Sequence, residues 1–232
     1  MPELHLTDFD AILEKNNAVA PSGPRMVCVL LLDTSSSMSG NPIASLNKDI
    51  NGFKALTTLD EIAQIDVAII EFNSSSHVVQ DFVPLPKMEP VSLSASGLSA
   101  MGAGINLAID KIRERNKLYA AMGIPCFGSW ILMITGGAPT DDILSARQRL
   151  IDEESKRQYG MLEFWAVGIP GHDKKTLTSL TKSYIALDEA KFDEILILLI
   201  ERMVNISDRI DDDSPVLSEL TDDAWDSPDE WW

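Results

Sequence analysis
Short unbroken apolar runs alternate along this chain with stretches of helical spacing. Residues 26–32 (MVCVLLL) form a continuous apolar run ending on Asp33, the pattern of a parallel strand buried on both faces. Asn41-Pro42 then opens a helical segment with Ile43, Leu46, Ile50, Phe53 and Leu56 along one face. Residues 66–72 (DVAIIEF) predict a second strand. Residues 76–82 predict a third, with His77, Gln80 and Asp81 among Val78, Val79 and Phe82, a mixture that suits an antiparallel hairpin partner at a sheet edge. Pro84, Pro86 and Pro90 punctuate a loop, and helical spacing returns over 104–122 through Leu107, Ile109, Ile112 and Leu118. Residues 129–135 read as a buried strand that Gly136-Gly137-Ala138-Pro139 breaks. A polar-faced helix over 141–157, a strand over 162–167 ending in Gly168, a short helix over 173–182, a short strand over 184–187 and a long closing helix over 189–205 complete the pattern.

Strands alternating with helices at this spacing predict βαβ units: a doubly wound, mostly parallel α/β sheet with helices on both faces and one antiparallel edge strand. No G-x-G-x-x-G follows the first strand and no Walker-type lysine motif is present, which disfavours both usual modes of nucleotide binding. Ligands of such sheets sit at the carboxyl ends of the strands, near the point where strand order reverses. The residues after the first and fourth strands are therefore the candidates for chemistry.

After the first strand comes Asp33-Thr34-Ser35-Ser36-Ser37-Met38. One carboxylate and two hydroxyls at spacing two, in a turn after a buried strand, can converge on one point. All are hard oxygen donors, suited to Mg²⁺, Mn²⁺ or Ca²⁺. Loop-tightening by Asp and Ser is the alternative for the same residues. The serine clusters lack a G-x-S-x-G elbow. Ser35 also stands where a haloacid-dehalogenase phosphatase needs a second aspartate. His5, His77 and His172 read as surface histidines without a partner in sequence, so a small hydrolase or phosphatase is a remote alternative.

LLLDTSSSMSG resembles the first segment of the metal-ion-dependent adhesion site (MIDAS) of von Willebrand factor A (VWA) domains, the D-x-S-x-S pattern. SASGLSAMGAGINLAID is similar to the second segment, G-G-T-x-x-G-x-A-L, with Ser99 at the family's metal-binding threonine. ILMITGGAPTDD is similar to the third, a strand followed by T-D-G-x-P-T-D. The resemblance runs from about residue 26 to 205 and implies a Rossmann-like fold. In wording, the third segment and FWAVGIPG are similar to bacterial cytosolic VWA proteins associated with tellurium resistance. It implies a metal set of Asp33, Ser35, Ser37 and Ser99, with Mg²⁺ as first choice of cation and Mn²⁺ or Ca²⁺ as alternatives. Gly136 occupies the position of the family's third-segment aspartate. Asp141 and Asp142 are candidate substitutes, although acids there also suit the N-terminal cap of the following helix. VWA domains leave a coordination position open to a partner's Asp or Glu, so the resemblance implies a non-catalytic protein–protein interaction module. Its expected setting is a bacterial stress-response, tellurium-resistance-like or defence system, with a kinase or phosphatase among the expected partners.

Charge adds two exclusions and one lead. The chain of 232 residues carries a net charge of −17, which repels phosphate backbones and argues against nucleic-acid binding. No apolar run approaches the roughly 18 residues that span a bilayer, and the N-terminus lacks a basic region followed by an apolar one, so a cytoplasmic, non-membrane protein is expected. The two cysteines, Cys28 and Cys126, sit in apolar surroundings and read as free thiols. Three regions follow: an N-terminal arm and linker (1–25), a VWA domain (26–208) and an acidic tail (209–232). Residues 210–232 hold nine acids and no base, interleaved with Val216, Leu217, Leu220, Trp225, Trp231 and Trp232. That mixture suits a docking segment, with the tryptophans as partner-binding anchors. Three other roles stay open: tryptophans folded back on the domain, a tail acid entering the metal site, or a metal-free scaffold that binds its partner through the tail.

Overall fold
The computed structural model describes residues 24–53, 64–155, 162–188, 192 and 195–198. The N-terminal arm, Leu56, most of the closing helix and the acidic tail with Trp225, Trp231 and Trp232 lie outside the described residues.

Six strands form one sheet in the order β3-β2-β1-β4-β5-β6. They are β1 (Arg25–Asp33), β2 (Ile65–Phe72), β3 (Ser76–Pro84), β4 (Cys126–Thr135), β5 (Leu162–Gly168) and β6 (Tyr184–Ala186). All neighbours pair in parallel except β2 and β3, which form the antiparallel edge. Helices α1 (Asn41–Phe53), α2 (Met101–Ala121), α3 (Leu144–Glu154) and α4 (Lys174–Leu180) connect them. Every residue of β1 is buried, and the period of two sends alternate side chains to opposite faces. Met26, Cys28, Leu30 and Leu32 join Leu46 and Ile50 of α1, with Phe192 and Leu196, in one core layer. Val27, Val29 and Leu31 join Met101, Ile105 and Ile109 of α2, Leu150 of α3 and Leu177 of α4 in the other. An unbroken apolar run was the right signal because neither face of this strand meets water. Among the described residues, no helix is long and apolar enough to cross a membrane.

Three element starts differ from the expected ones by three residues each. Strand β4 starts at Cys126 because Arg25 pairs with Cys126 across a register shift and its amide bonds Pro125 O at 2.7 Å. Helix α2 starts at Met101, three residues early. Gly102 and Gly104 look like loop residues in sequence, yet a Cβ on Gly102 would lie 2.5 Å from Asp142 O and one on Gly104 would lie 3.1 Å from the Phe72 side chain. Close approach of the helix to its neighbours needs both glycines. Helix α3 starts only at Leu144, because Asp141 serves another helix.

Candidate functional site
In this strand order, the chain turns back across the sheet between β1 and β4, where a strand-end crevice is expected. Leu32 pairs with Ile134 there, which brings Asp33 beside Thr135. Asp33 is fully buried, and both its carboxylate oxygens are bonded. Oδ1 accepts the Ser35 amide (2.8 Å), and Oδ2 accepts the Thr135 hydroxyl (2.6 Å) and the Gly136 amide (3.4 Å). These donors hold a charge that burial alone would disfavour. The Ser35 and Ser37 hydroxyls share a hydrogen bond of 2.8 Å, with Ser35 buried and Ser37 exposed.

The loop carrying Ser99 is sewn to this turn. Gly97 O accepts the Ser36 amide (3.1 Å) and the Ser36 hydroxyl (2.9 Å). The Ser96 amide donates to Thr34 O (2.8 Å), and the Ala100 amide to Asn73 O (2.6 Å). On its other side, Ser99 is clasped by Thr140: the Thr140 amide donates to Ser99 O (2.8 Å), and the Ser99 amide to Thr140 Oγ1 (3.1 Å). The Ser99 hydroxyl itself is buried and, among the described residues, has no hydrogen-bond partner.

At Gly136, a Cβ would stand 2.9 Å from Met38 Sδ and 3.0 Å from Ile169 Cδ1. The volume that a side chain at this position would need is filled by apolar side chains. Asp141 accepts the Gly102 amide (3.0 Å) and the Ala103 amide (2.8 Å), so it caps α2 and not the helix that follows it. Only Asp142 serves the following helix, accepting the Leu144 amide at 2.9 Å. Among the described residues, no group of three or more His, Cys, Asp or Glu side chains could hold a metal ion. The oxygens expected from the sequence to act together are one carboxylate, Asp33, and the hydroxyls of Ser35, Ser37 and Ser99. They fit a hard divalent cation in chemical type, and the buried Ser99 hydroxyl, unpartnered among the described residues, has coordination capacity to spare.

Thr135, Thr140 and Asn73 support the site without having been singled out in the sequence. The two threonines lie in the quoted third segment, which was a usable signal. Asn73, whose Nδ2 donates to Thr34 Oγ1 (3.3 Å), carried only the generic signal of a turn residue. His172 was expected to lack a partner, but it has two. Its Nδ1 faces Ile169 O (2.7 Å), an acceptor only, so that nitrogen carries the proton; its Nε2 meets the Tyr184 hydroxyl. His77 is exposed and bonds the Ser75 hydroxyl at 2.8 Å. Each thus has a structural partner, and His5 lies outside the described residues.

No protein-family model and no curated protein matches this sequence. Solved structures do match its fold. A von Willebrand factor type A protein from Catenulispora acidiphila superposes with a TM-score of 0.55 at 14% identity, over 78% of this chain and 42% of that one. Proximal thread matrix protein 1 from the mussel byssus gives 0.54 at 14% identity, over 79% of this chain and 46% of that one. The pilus adhesin SpaC from Lactobacillus rhamnosus GG, in its open conformation, gives 0.60 at 14% identity, over 79% and 30%. This chain thus spans less than half the length of each of these three proteins. Its six-stranded sheet, mostly parallel with one antiparallel edge and helices packed around it, is the von Willebrand factor A fold.

Proposed function
We propose that the chain is a non-catalytic protein-recognition module whose contact face is formed by the loops at the carboxyl ends of its strands. In this reading Asp33, Ser35, Ser37 and Ser99 hold a divalent cation, Mg²⁺ first and Mn²⁺ or Ca²⁺ as alternatives, and a protein partner offers an Asp or Glu to it. The carrying observation is the Ser99 hydroxyl, buried without a partner among the described residues in a loop bonded to the Asp33–Ser37 turn. Burying an unpaired hydroxyl costs about 1–3 kcal/mol, which a ligand would offset. When bound, the ion supplies a positive centre that attracts a carboxylate. The chain's own part is to hold the oxygens: Thr135 and the Ser35 and Gly136 amides fix Asp33, while Thr140 fixes Ser99. Because Gly136 brings no carboxylate, the site has a single negative charge, and a partner's acid would complete it. The byssus and pilus proteins among the structural neighbours support a role in protein contact. A stress-response, tellurium-resistance-like or defence setting in the bacterial cytoplasm, with a kinase or phosphatase as partner, follows from the resemblance of the motifs alone.

A second reading, a metal-free scaffold, is favoured by two observations. Met38 and Ile169 fill the Gly136 position, and Asp33 already has three donors. Calorimetric titration of Mg²⁺ and Mn²⁺ into the metal-stripped full chain separates the two readings. Saturable heat that Ser99→Ala and Asp33→Ala abolish supports the metal-dependent module. Absence of heat in the unaltered chain favours the scaffold. Phosphatase and ATPase assays are expected to be blank, and turnover in either would replace both readings with an enzyme.

A further inference from the structure
Helix α3 carries apolar side chains on two sides. Ala146 and Leu150 are buried in the core layer that it shares with α2 and α4. Leu144 and Ile151 lie on the other side of the helix and are 69% and 46% exposed. Seven residues apart, they stand within about 20° of each other around the helix axis and about 10 Å apart along it. Gln148 lies between them and is exposed as well. One exposed leucine needs no explanation. Two large apolar groups aligned on one face form a stripe, whereas a surface helix needs only the stripe that faces the core. Packing explains Ala146 and Leu150 and leaves the outer stripe without a structural use.

The two flanks of this stripe differ in charge. Arg147 is exposed and sits three residues after Leu144 and four before Ile151, so it neighbours both. Its Nε donates to Ser179 O at 2.8 Å, which fixes it against α4. One turn before Ser179 on α4 stands Lys175, with Lys174 beside it, both exposed. Among the four α-helices described, α4 alone holds bases and no acid, in a chain whose net charge is −17. Arg147, Lys174 and Lys175 form no ion pair among the described residues. Asp173 precedes the two lysines, but its carboxylate accepts the Thr176 amide (3.3 Å) and hydroxyl (2.7 Å). Lys182, further along, is offset by Glu154. Acids border the stripe elsewhere: Asp152 accepts Gln148 Nε2 at 2.9 Å, and Asp142 accepts the Leu144 amide at 2.9 Å. The uncompensated charge beside Leu144 and Ile151 is therefore positive and lies on the α4 side.

We propose that this stripe and the bases beside it form a second contact surface, separate from the strand-end loops. Its occupant is an amphipathic helix of a protein partner, with an apolar stripe and carboxylates along one flank. The partner's apolar residues cover Leu144 and Ile151, and its acids meet Arg147, Lys174 and Lys175. A second copy in antiparallel two-fold pairing through α3 is a poorer fit, because that symmetry sets each Arg147 flank against its own kind. An anionic membrane is a poorer fit too, because Asp142 and Asp152 border the stripe and the whole chain is negative. The test uses the full nitrogen-15-labelled chain in EDTA and a synthetic amphipathic helix with a leucine stripe and glutamates on one flank. The amides of 144–155 and 174–182 should shift on titration. Replacing the peptide's glutamates by lysines should weaken binding by at least about tenfold, as should Leu144→Ser with Ile151→Ser in the chain. Lys174→Glu with Lys175→Glu keeps the stripe and should weaken binding of the glutamate peptide alone. All four positions are exposed, so the variants should keep the parent's unfolding midpoint. Absence of shifts at millimolar peptide, shifts confined to another surface, or equal affinity for the lysine peptide would each overturn the proposal. So would binding of phosphatidylserine vesicles through Leu144 and Ile151, or a dimer that the serine pair dissolves. The measurement excludes divalent ions, so its failure and that of the cation titration are independent.

Discussion

The sulfur of Met38 lies 2.9 Å from the point where a Cβ on Gly136 would stand. The two positions therefore share one volume, with Ile169 closing its other side at 3.0 Å. Introducing a carboxylate through Gly136→Asp should overpack this site and destabilise the fold by about 1–3 kcal/mol. Met38→Ala alone should also destabilise, because Met38 is fully buried. Combined, the two changes should cost at least about 1 kcal/mol less than their separate effects summed, since each relieves the other. Denaturant unfolding of the four proteins in this cycle measures the coupling. Strict additivity would mean that Met38 and Ile169 yield freely and that packing does not require glycine.

Asp141 caps a helix that begins forty residues before it in sequence. The residue preceding α2, Ala100, has no side chain able to accept a bond, and Asp141 supplies two through Gly102 and Ala103. Asp141→Ala should lower stability by about 0.5–2 kcal/mol, the usual range for a lost cap. It should also loosen the Ser99 loop, because Thr140 and Asp141 together grip residues 99–103. Hydrogen exchange checks this: the Gly102 and Ala103 amides should lose protection before those of β1. Equal loss across the whole domain would instead indicate a global effect without local coupling.

Most of the architecture was legible because its signals are local. The apolar run of β1, the mixed polarity of β3 and the glycine–proline break after β4 each follow from what a residue's own strand or turn demands. The turn at Asp33 was legible for the same reason, since its three candidate ligands lie within five residues. Contacts between distant segments were not legible. Nothing near Asp141 shows that its carboxylate will turn to α2, and nothing near Gly136 reveals that Met38 and Ile169 will fill its neighbourhood. The helical start at Met101 was hidden because Gly102 and Gly104 disfavour helix locally, and only packing against Asp142 and Phe72 overrides that preference. His172 was misread similarly, because its partner Tyr184 belongs to another element.

At the other end of the sheet, Asp66 is 1% exposed and bonds both Arg25 and Arg115. The Arg115 guanidinium also lies over the Tyr119 ring, 4.9 Å from its centroid, and over Phe82 at 5.6 Å. Asp66→Ala would remove the carboxylate that these two arginines share in a low-dielectric setting. A loss of about 3–5 kcal/mol is expected, as for breaking other buried ion pairs. Asp110 offers the contrast, because it pairs with Arg149 while its side chain is 61% exposed. Asp110→Ala should cost no more than about 1 kcal/mol. Urea titrations of both variants measure the difference, and similar midpoints would show that water reaches the Asp66 cluster.

The thiols should report the fold through their ionisation. Burial pushes the Cys28 thiol up to about 12 and also raises that of Cys126, which is only half-buried. The thiolate is the reacting form, so both should resist an aromatic disulfide reagent near neutral pH, Cys28 more completely. Native protein at pH 8 should show a slow reaction of Cys126 alone, and unfolded protein a fast reaction of both. The same shift sets a sign for stability. A thiol whose folded value is raised favours the folded state below its ordinary value of about 9 and loses that contribution as pH climbs towards 12. Stability should therefore fall between pH 9 and 11 by more in the parent than in Cys28→Ala, in which this ionisation is absent. Rapid modification of Cys28 in the native protein at pH 8 would show that the core layer beneath α1 opens far more readily than its packing implies.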